Sequence, residues 1–352
     1  MVDWTKSMKQ SFEYYLVDPG TWGEVQLLDN IVGSDIERDS SSDTLDSASI
    51  EVVNAIPESY VRIYLVTIQN GTTEKHCLGT FLVQTPSLVF DGKVEHLELD
   101  AYSPLIELKE KQPPVGYNIL KGANILENAY RIVRENVRAP VIPPECSEKL
   151  QDDFVANLDE NWCSFITDLI DNAKYELQLD EKGRVLFGVK QEPAAMQPKW
   201  TFNDDNSSIL LPEVTINRDL YGIPNVVEVV YTASRHCYSA RVVNDNPNSP
   251  VSVQARGREI VHRVVNPNMG GMPSQLQVEL YAKRLLDELS SLEYTVSFTH
   301  GYCGTKLGDC VRLNYKRAGM QDIKAKIISQ SIRCATGCTV QEKAVFTSNL
   351  WR

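Results

Sequence analysis

The chain has 352 residues, of which 42% are apolar and 23% are charged, a composition typical of a globular protein with two or three packed domains. Its 35 basic and 47 acidic residues give a formal net charge of −12, which argues against a nucleic-acid-binding surface, because phosphate binding needs clustered lysine and arginine. No run approaches the roughly 20 apolar residues of a membrane span. The amino terminus also lacks an apolar export segment, so we expect a soluble chain that folds in the cytoplasm.

In the first part of the chain, residues 14–102 show strand and turn patterns. Residues 49–52 and 94–99 alternate polar and apolar side chains, and Asn70-Gly71 predicts a hairpin turn. Between these strands, Asp35, Asp39 and Asp43 suggest a calcium loop. Their spacing of four lacks the glycine and terminal glutamate of an EF-hand loop, which favours a solvated inter-strand loop at 35–46.

Two helices and a hairpin are predicted in the middle of the chain. Residues 124–137 have one apolar face, and residues 162–173 carry an aromatic and aliphatic stripe at helical spacing that is typical of core packing. A hairpin with its turn at 180–183 follows. This part of the chain is predicted to be a small α+β domain.

The last part begins with a linker or long loop at 191–206 and returns to strand patterns. It is interrupted by a helix at 275–290, where Ser274 and Gln277 form a capping-box pattern. A strand at 295–299 follows, and Gly308-Asp309 predicts the turn before the strand at 311–314.

The same run of strands occurs twice. Two hairpins have matching starts and returns, at 61–64 and 81–84 in the first copy and at 311–314 and 326–330 in the second. Each is preceded by an apolar-x-Arg-Asp signature and a further strand, at 36–39 and 48–53 in the first copy and at 216–219 and 226–231 in the second. This order predicts a duplicated β unit, as expected of a part that supplies two quasi-equivalent copies to a ring.

Candidate metal sites are few. The eight cysteines are expected to be reduced thiols, with Cys303, Cys310, Cys334 and Cys338 as the conceivable zinc ligands. The pairs His76-Cys77 and His236-Cys237 are adjacent on strands, so their side chains point to opposite faces and cannot bind one ion.

No catalytic signature is present, since the chain lacks a nucleophile elbow, a phosphate-binding glycine loop and a zinc-protease helix. The carboxylate pairs Glu95 with Glu98 and Asp204 with Asp205 are expected by chance among 47 acidic residues. His262 lies in an alternating strand and is predicted to be a structural histidine, not a general base.

At its carboxy-terminal end the sequence resembles a known family. The helix at 275–290, the strand at 295–299, the Leu-Gly-Asp-x-Val turn at 307–311 and the strand returning at 326–330 resemble the carboxy-terminal half of tail hub proteins. These form the baseplate hub and late-control-D family of contractile-tailed bacteriophages and phage-derived bacteriocins. The Trp-x-x-Phe helix and hairpin of the middle part are similar to the same family. The resemblance covers 34–352 and is closest to hubs of phages and defective prophages of Gram-positive bacteria.

The resemblance implies an α+β, mainly β fold in which two tail-tube-like β-barrel domains, at 1–112 and 201–352, flank a small α+β middle domain at 113–200. The second barrel has an inserted helix at 274–290. Three such chains would supply six near-equivalent barrels, so a homotrimer is expected to join a six-fold tail tube to a three-fold spike. No catalytic, cofactor-binding or metal-binding residue is implied.

The expected partners are the tail tube protein or distal tube ring, the central spike, the tape measure protein and other baseplate proteins, with DNA only in transit and no membrane. The expected location is the baseplate of a virion tail assembled in the bacterial host cytoplasm. Two alternatives remain at this point: a peripheral tail-tip or fibre adaptor, and a peptidoglycan hydrolase used during infection.

Overall fold

The computed structural model describes residues 2–54, 56–90, 95–205, 208–218, 220–233, 236–267 and 274–349. In this part of the chain the fold is mainly β, with twenty strands and five α-helices, which confirms the predicted α+β class. No helix among these residues is long and apolar enough to cross a membrane.

The chain divides into two compact units. The larger unit comprises Met1–Val214 and Ser297–Ala344, and the smaller unit comprises Thr215–Val296 and Val345–Arg352. The three-domain division at 1–112, 113–200 and 201–352 stays a prediction. Basic and acidic residues are nearly balanced in the smaller unit, so essentially all of the net negative charge lies on the larger unit.

Seven strands, which we call the first strand set, form the first part of the larger unit: β1 (Lys9–Val17), β2 (Glu24–Leu28), β3 (Ile31–Asp39), β4 (Asp46–Val52), β5 (Tyr60–Gln69), β6 (Thr72–Phe90) and β7 (Glu95–Tyr102). Strict alternation buries one face, as in β4, where Ile50 and Val52 are fully buried while Glu51 points outwards. The predicted turn between β5 and β6 is confirmed, with Asn70 and Gly71 both at positive φ (51° and 77°), as a tight hairpin requires.

The middle of the chain contains α1 (Ile106–Lys109), β8 (Asn118–Ile119), α2 (Ile125–Asn136), β9 (Phe154–Val155), α3 (Trp162–Asp171), β10 (Tyr175–Leu179) and β11 (Val185–Val189). The predicted helices and hairpin are confirmed. The side chains of Asn124 and Asn161 cap α2 and α3 by accepting backbone N–H bonds. Trp162 and Phe165 lie in the core between these helices, as the periodicity predicted.

The last part of the chain contains a 3-10 helix (Pro193–Ala195), β12 (Trp200–Asn203), β13 (Leu210–Arg218), β14 (Val226–Ala233), β15 (His236–Val243), α4 (Val253–Arg256), β16 (Val261–Val265), α5 (Gln275–Leu289), β17 (Ser291–Gly301), β18 (Cys310–Asn314), a second 3-10 helix (Lys316–Ala318), β19 (Ile323–Cys334) and β20 (Thr339–Asn349). The capping box of α5 is present, with both of its hydrogen bonds formed between Ser274 and Gln277. The turn before β18 is also confirmed, with Gly308 at φ 84°.

One large sheet joins the first and last parts of the larger unit. Its strands follow the order β13-β17-β20-β19-β3-β4-β7-β6-β5-β1-β2, and β3 pairs with β19 from Ser34 opposite Cys334 to Asp39 opposite Ser329. The expectation of two separate closed barrels is therefore corrected: in the described residues the strands form an open sheet. The reason is that β19 pairs with the first strand set instead of closing on its own.

The predicted repeat is present only in part. The hairpins β5–β6 and β18–β19 both form at the predicted residues. In the first copy the Arg-Asp strand β3 pairs with β4, but in the second copy β14 pairs with β15 and β16 in a separate sheet and not with β13. The second signature ends at Asp219, which lies outside the described residues.

Part of the predicted linker is a strand. β12 pairs in parallel with β18, with Trp200 opposite Val311 and Asn203 opposite Asn314. Trp200 to Asn203 alternate apolar and polar residues, but four residues are too short a run for a clear strand signal, and a parallel partner more than one hundred residues away gives no local signal either.

A buried arginine attaches the β10–β11 turn to the first strand set. Arg62 donates to the Thr80 hydroxyl at 2.9 Å and to the Trp22 carbonyl at 3.3 Å. The Thr80 hydroxyl and the Trp22 indole both donate to the Lys182 carbonyl, at 2.9 and 2.8 Å. Next to it, Gly183 has φ 73°, and a Cβ there would lie 3.0 Å from Thr80 Cβ, so glycine is required.

The smaller unit contains the three-stranded sheet β15-β14-β16, with α5 packed on β14 and β15. Val227, Val229 and Ala240 of the sheet meet Val278, Ala282 and Leu286 of the helix. On β16, His262 is exposed, which corrects the interpretation that it is a packed structural histidine. The burial that the sequence alternation suggested is absent because β16 is an edge strand that α5 does not cover.

Candidate functional site

Polar side chains form a buried cluster inside the larger unit, where β17, β20 and β19 run side by side. His300 of β17 and Glu342 of β20 are both fully buried, with 3.4 Å between His300 Nε2 and Glu342 Oε1. The same carboxylate oxygen accepts from the Thr305 hydroxyl at 2.7 Å and from the Gln330 side-chain amide at 2.6 Å. A buried carboxylate needs such donors, because removal from water is otherwise very costly.

His300 is held in its charged form. Its Nδ1–H donates to the Gly301 carbonyl at 2.7 Å, and Cys303 Sγ lies 3.8 Å from the same nitrogen. Burial lowers the pKa of His300, but the contacts with Cys303 and Glu342 outweigh burial and raise the pKa to about 10. The cluster therefore contains a buried imidazolium–carboxylate pair.

The cluster continues into the first strand set. Arg38 of β3 is buried and donates to the Gln330 side-chain carbonyl at 2.5 Å, and also to the Leu78 carbonyl. Its Nε lies 3.6 Å from Asp46. Arg38 belongs to the Arg-Asp signature singled out in the sequence, and its role here is to tie β3 to β19 through Gln330.

In Cys303, His300 and Glu342 a thiol, an imidazole and a carboxylate lie next to one another, as in the active site of a cysteine hydrolase. Cys303 is only 6% exposed and the other two side chains are at 0%. A nucleophile must meet its substrate, and this one is enclosed by the sheet. The arrangement therefore suits a structural ion pair and not catalysis.

An acidic sheet face lies on the outer side of the larger unit. Along β3, β4 and β7, Asp35, Glu37, Glu51, Glu98 and Asp100 point away from the core, and Arg333 of β19 is the cation among them. A shallow groove of about 300 Å³ runs through this face, lined by six polar side chains and by Gly33, Cys334 and Ala335.

Serines separate the carboxylates of this face. Ser49 donates to Glu98 at 2.7 Å, and Ser331 donates to Glu37 at 2.5 Å. Glu51 and Glu98 stand directly opposite one another in the register, although like charges in such positions are unfavourable.

The four cysteines considered as conceivable zinc ligands do not converge. Cys303, Cys310, Cys334 and Cys338 are all buried, but Cys303 contacts His300, Cys310 lies 3.8 Å from the Pro193 carbonyl, and the other two pack in the main core. Within the described ranges no group of three or more His, Cys, Asp or Glu residues could hold a metal ion.

The aspartates of the suggested calcium loop are also separated. Asp35 lies on β3 in the acidic sheet face, Asp39 accepts from the backbone N–H of Ser41 at 2.8 Å, and Asp43 pairs with Lys109 at 3.1 Å. The inter-strand loop predicted at 35–46 is shorter than expected: it comprises residues 40–45, because 35–39 belong to β3 and Asp46 begins β4.

The remaining candidates have ordinary partners. His76 contacts the Thr67 hydroxyl at 3.2 Å, whereas Cys77 donates to the Glu181 carbonyl. Asp204 pairs with Arg317, at 2.8 Å from the arginine Nε. The side chains of Glu95 and His236 lie outside those that the structure describes.

Comparison with known proteins identifies the class of fold. No protein-family model matches the chain, and no curated protein matches it in sequence. Among solved structures, it is similar to the tail protein from Neisseria meningitidis MC58, with a TM-score of 0.62 and 12% identity over 97% of this chain and 98% of that one. It is also similar to the 43 kDa tail protein of prophage MuSo2 from Shewanella oneidensis, with a TM-score of 0.59 and 9% identity over 95% and 98% of the two chains.

A third similar structure is the Escherichia coli c3393 protein, with a TM-score of 0.50 and 9% identity over 91% of this chain and 74% of that one. That protein is a component of the type VI secretion system and is structurally similar to the T4 tail proteins gp27 and gp5. The chain therefore has the fold of phage and prophage tail proteins, and the resemblance to the tail hub family is confirmed at the level of the fold.

Proposed function

We propose that the chain is a structural hub at the distal end of a phage or phage-like tail, where three copies join the six-fold tube to the three-fold spike. The observation that carries this proposal is the likeness to tail proteins over nearly the whole chain. The likeness to a protein that itself resembles T4 gp27 and gp5 favours the end of the tail over its shaft. The partners would be the tube, the spike, the tape measure protein and other baseplate proteins.

The function is proposed to be non-enzymatic. The thiol–imidazole–carboxylate arrangement described above is buried, and Asp204 is ion-paired with Arg317. Zymography on peptidoglycan tests this directly. A clearing band that disappears when one carboxylate is replaced would support the alternative that the chain is a peptidoglycan hydrolase.

The acidic sheet face is proposed to line the channel through which DNA passes. Among the described residues of this face, five carboxylates are interrupted by serines and one arginine, and these residues offer phosphates no cluster of cations to bind. At physiological salt the repulsion reaches only about 8 Å, so this surface prevents sticking and does not drive movement.

Assembly is tested by sedimentation velocity of the purified chain, alone and with its spike. A trimer of the 39.6 kDa chain has a mass of about 119 kDa. A chain that stays monomeric with and without the spike refutes the trimeric hub. Negative-stain images of labelled particles then separate a hub on the tail axis from a peripheral adaptor.

The channel surface is tested by replacing Asp35, Glu98 and Asp100 with lysine. The wild-type chain should leave duplex DNA unretarded in a gel, whereas the triple variant should retard it at about 50 mM salt and release it at about 200 mM. A matched triple variant with Asp152, Asp159 and Glu288 changed to lysine controls for net charge. Equal retardation by both variants would show that overall charge matters and that this face does not.

A further inference from the structure

Four exposed aliphatic side chains lie along one ribbon of the larger unit. β8 and β9 pair with Asn118 opposite Val155, and the same register continues through a bridge between Asn124 and Lys149. At the other end, the N–H of Ala156 donates to the Tyr117 carbonyl. We call the exposed aliphatic side chains of this ribbon the ribbon patch: Val115 at 85% exposure, Leu158 at 82%, Leu120 at 63% and Val155 at 57%.

Two of these residues occupy turn corners. Val115 lies in the turn that is closed by a hydrogen bond from the Tyr117 N–H to the Pro114 carbonyl. Leu158 lies in the turn that is closed by a hydrogen bond from the Glu160 N–H to the Asn157 carbonyl. The register places these turns side by side at one end of the ribbon. Turn corners are normally occupied by glycine, proline, asparagine, aspartate or serine, so two adjacent aliphatic corners are unusual.

The fold does not depend on the ribbon patch. The ribbon is anchored from its other face, where Ile119 is 4% exposed and Phe154 packs edge-on against Phe165 at 5.0 Å. The ring of Tyr117 packs edge-on against Trp162, with 4.9 Å between the ring centroids. The patch therefore sits on a rigid base and exposes a few hundred Å² of apolar surface, an amount that in soluble proteins often marks an interaction site.

The charges around the patch indicate what covers it. Asp152, Asp153, Asp159 and Glu160 lie on the ribbon beside the four aliphatic residues. The cations of the ribbon are Lys121, which pairs with Asp152 at 3.6 Å, and Lys149 at the bridge to Asn124, so acidic residues are in excess. A second copy would bring the same acidic rim and an acidic larger unit against this surface, which is electrostatically unfavourable. The complementary surface has aliphatic side chains flanked by lysine or arginine.

We infer that the ribbon patch docks a basic, aliphatic segment of a different protein. This inference does not depend on the trimeric hub, because it concerns a surface of the single chain. Specificity would come from the acidic rim, and most of the affinity from burying Leu120 and Leu158.

The test uses a fluorescein-labelled helical peptide with leucines on one face and lysines on the other, and a matched peptide with glutamate in place of lysine. Fluorescence anisotropy measures binding to the full chain, to Leu120→Ser/Leu158→Ser, and to the control Leu276→Ser/Leu280→Ser. The control residues are also exposed leucines, at 64% and 55%, but they lie on α5. Far-UV circular dichroism checks that all variants fold.

The lysine peptide should bind the wild-type chain and the control variant equally. It should bind the ribbon variant at least tenfold more weakly. The glutamate peptide should bind none of the three proteins. Failure of the lysine peptide to bind, or equal binding to the ribbon variant, overturns the proposal. Sedimentation of the same variants provides a separate outcome: if the ribbon substitutions dissociate an oligomer of the wild type, the occupant is a second copy and the assignment of a different partner is wrong. A wild-type chain that stays monomeric with and without the spike, and binds the lysine peptide through the patch, refutes the trimer and leaves this inference standing.

Discussion

Replacing Glu342 with glutamine should remove the pH dependence that the buried ion pair gives to stability. The glutamine carbonyl can still accept from Thr305 and Gln330, which both donate to Oε1 of Glu342. His300 loses its anion, however, and burial then favours the neutral imidazole. The variant isolates the charge interaction while keeping the hydrogen bonds to its neighbours.

The magnitude follows from the pKa of His300, which is raised from an ordinary value of 6.5 to about 10. Because the folded-state pKa is raised, the stabilisation is fully present below pH 6.5 and is lost as the pH rises through 10. The difference corresponds to about 5 kcal/mol at low pH, with about 2–3 kcal/mol lost between pH 7 and pH 9. Removal of one partner from a buried ion pair typically costs about 3–5 kcal/mol, which agrees.

The assay is urea unfolding at pH 7, 8 and 9, followed by tryptophan fluorescence, since Trp4, Trp22, Trp162 and Trp200 all belong to the larger unit. Both proteins should lose stability between pH 7 and pH 9, because burial raises the pKa of thiols such as Cys163 and Cys334. Glu342→Gln should be less stable at pH 7 and should lose about 2–3 kcal/mol less than the wild type over this range. Glu181→Gln, which removes an exposed carboxylate paired with Lys306, is the matched control and should follow the wild type within about 1 kcal/mol. Parallel pH curves for wild type and Glu342→Gln would contradict a charged His300.

Three further predictions concern local features. Gly183→Ala should lower the free energy of unfolding by about 1–3 kcal/mol more than Gly116→Ala does. Both glycines have positive φ, but only at position 183 would a Cβ lie against Thr80. Equal urea midpoints for the two variants would argue against the close contact. Asn161→Ala should cost about 1 kcal/mol and Asn161→Ser much less, because serine keeps a capping acceptor for α3; equal losses would show that the cap is not the cause. In reaction with a thiol reagent at pH 8, exposed Cys237 should account for the fast phase, and Cys237→Ser should abolish it. A persisting fast phase would mean that another thiol, such as half-buried Cys77 or Cys146, reacts as fast.

The buried cluster was not predicted, although the sequence contained a signal for it. Val296, Phe298 and His300 alternate on β17, and all three are buried, so His300 lies on the core face of its strand. The residue singled out instead, His262, has the same local alternation but is exposed at a sheet edge. Local pattern alone does not distinguish a covered strand from an edge strand. The acidic sheet face could likewise not be predicted from the sequence, because its residues come from four strands, β3, β4, β7 and β19, that the fold brings together.

The sequence by itself determined the helices α2, α3 and α5, the hairpins β5–β6, β10–β11 and β18–β19, and the turns between their strands. These features depend on side-chain periodicity, caps and turn residues that act over a few positions. Only the tertiary structure decided that β19 lies beside β3, that β12 runs parallel to β18, and that β14 belongs to a separate sheet. Strand pairing joins residues hundreds of positions apart through backbone groups that are the same at every residue, so the partner is selected by the packing of the whole chain.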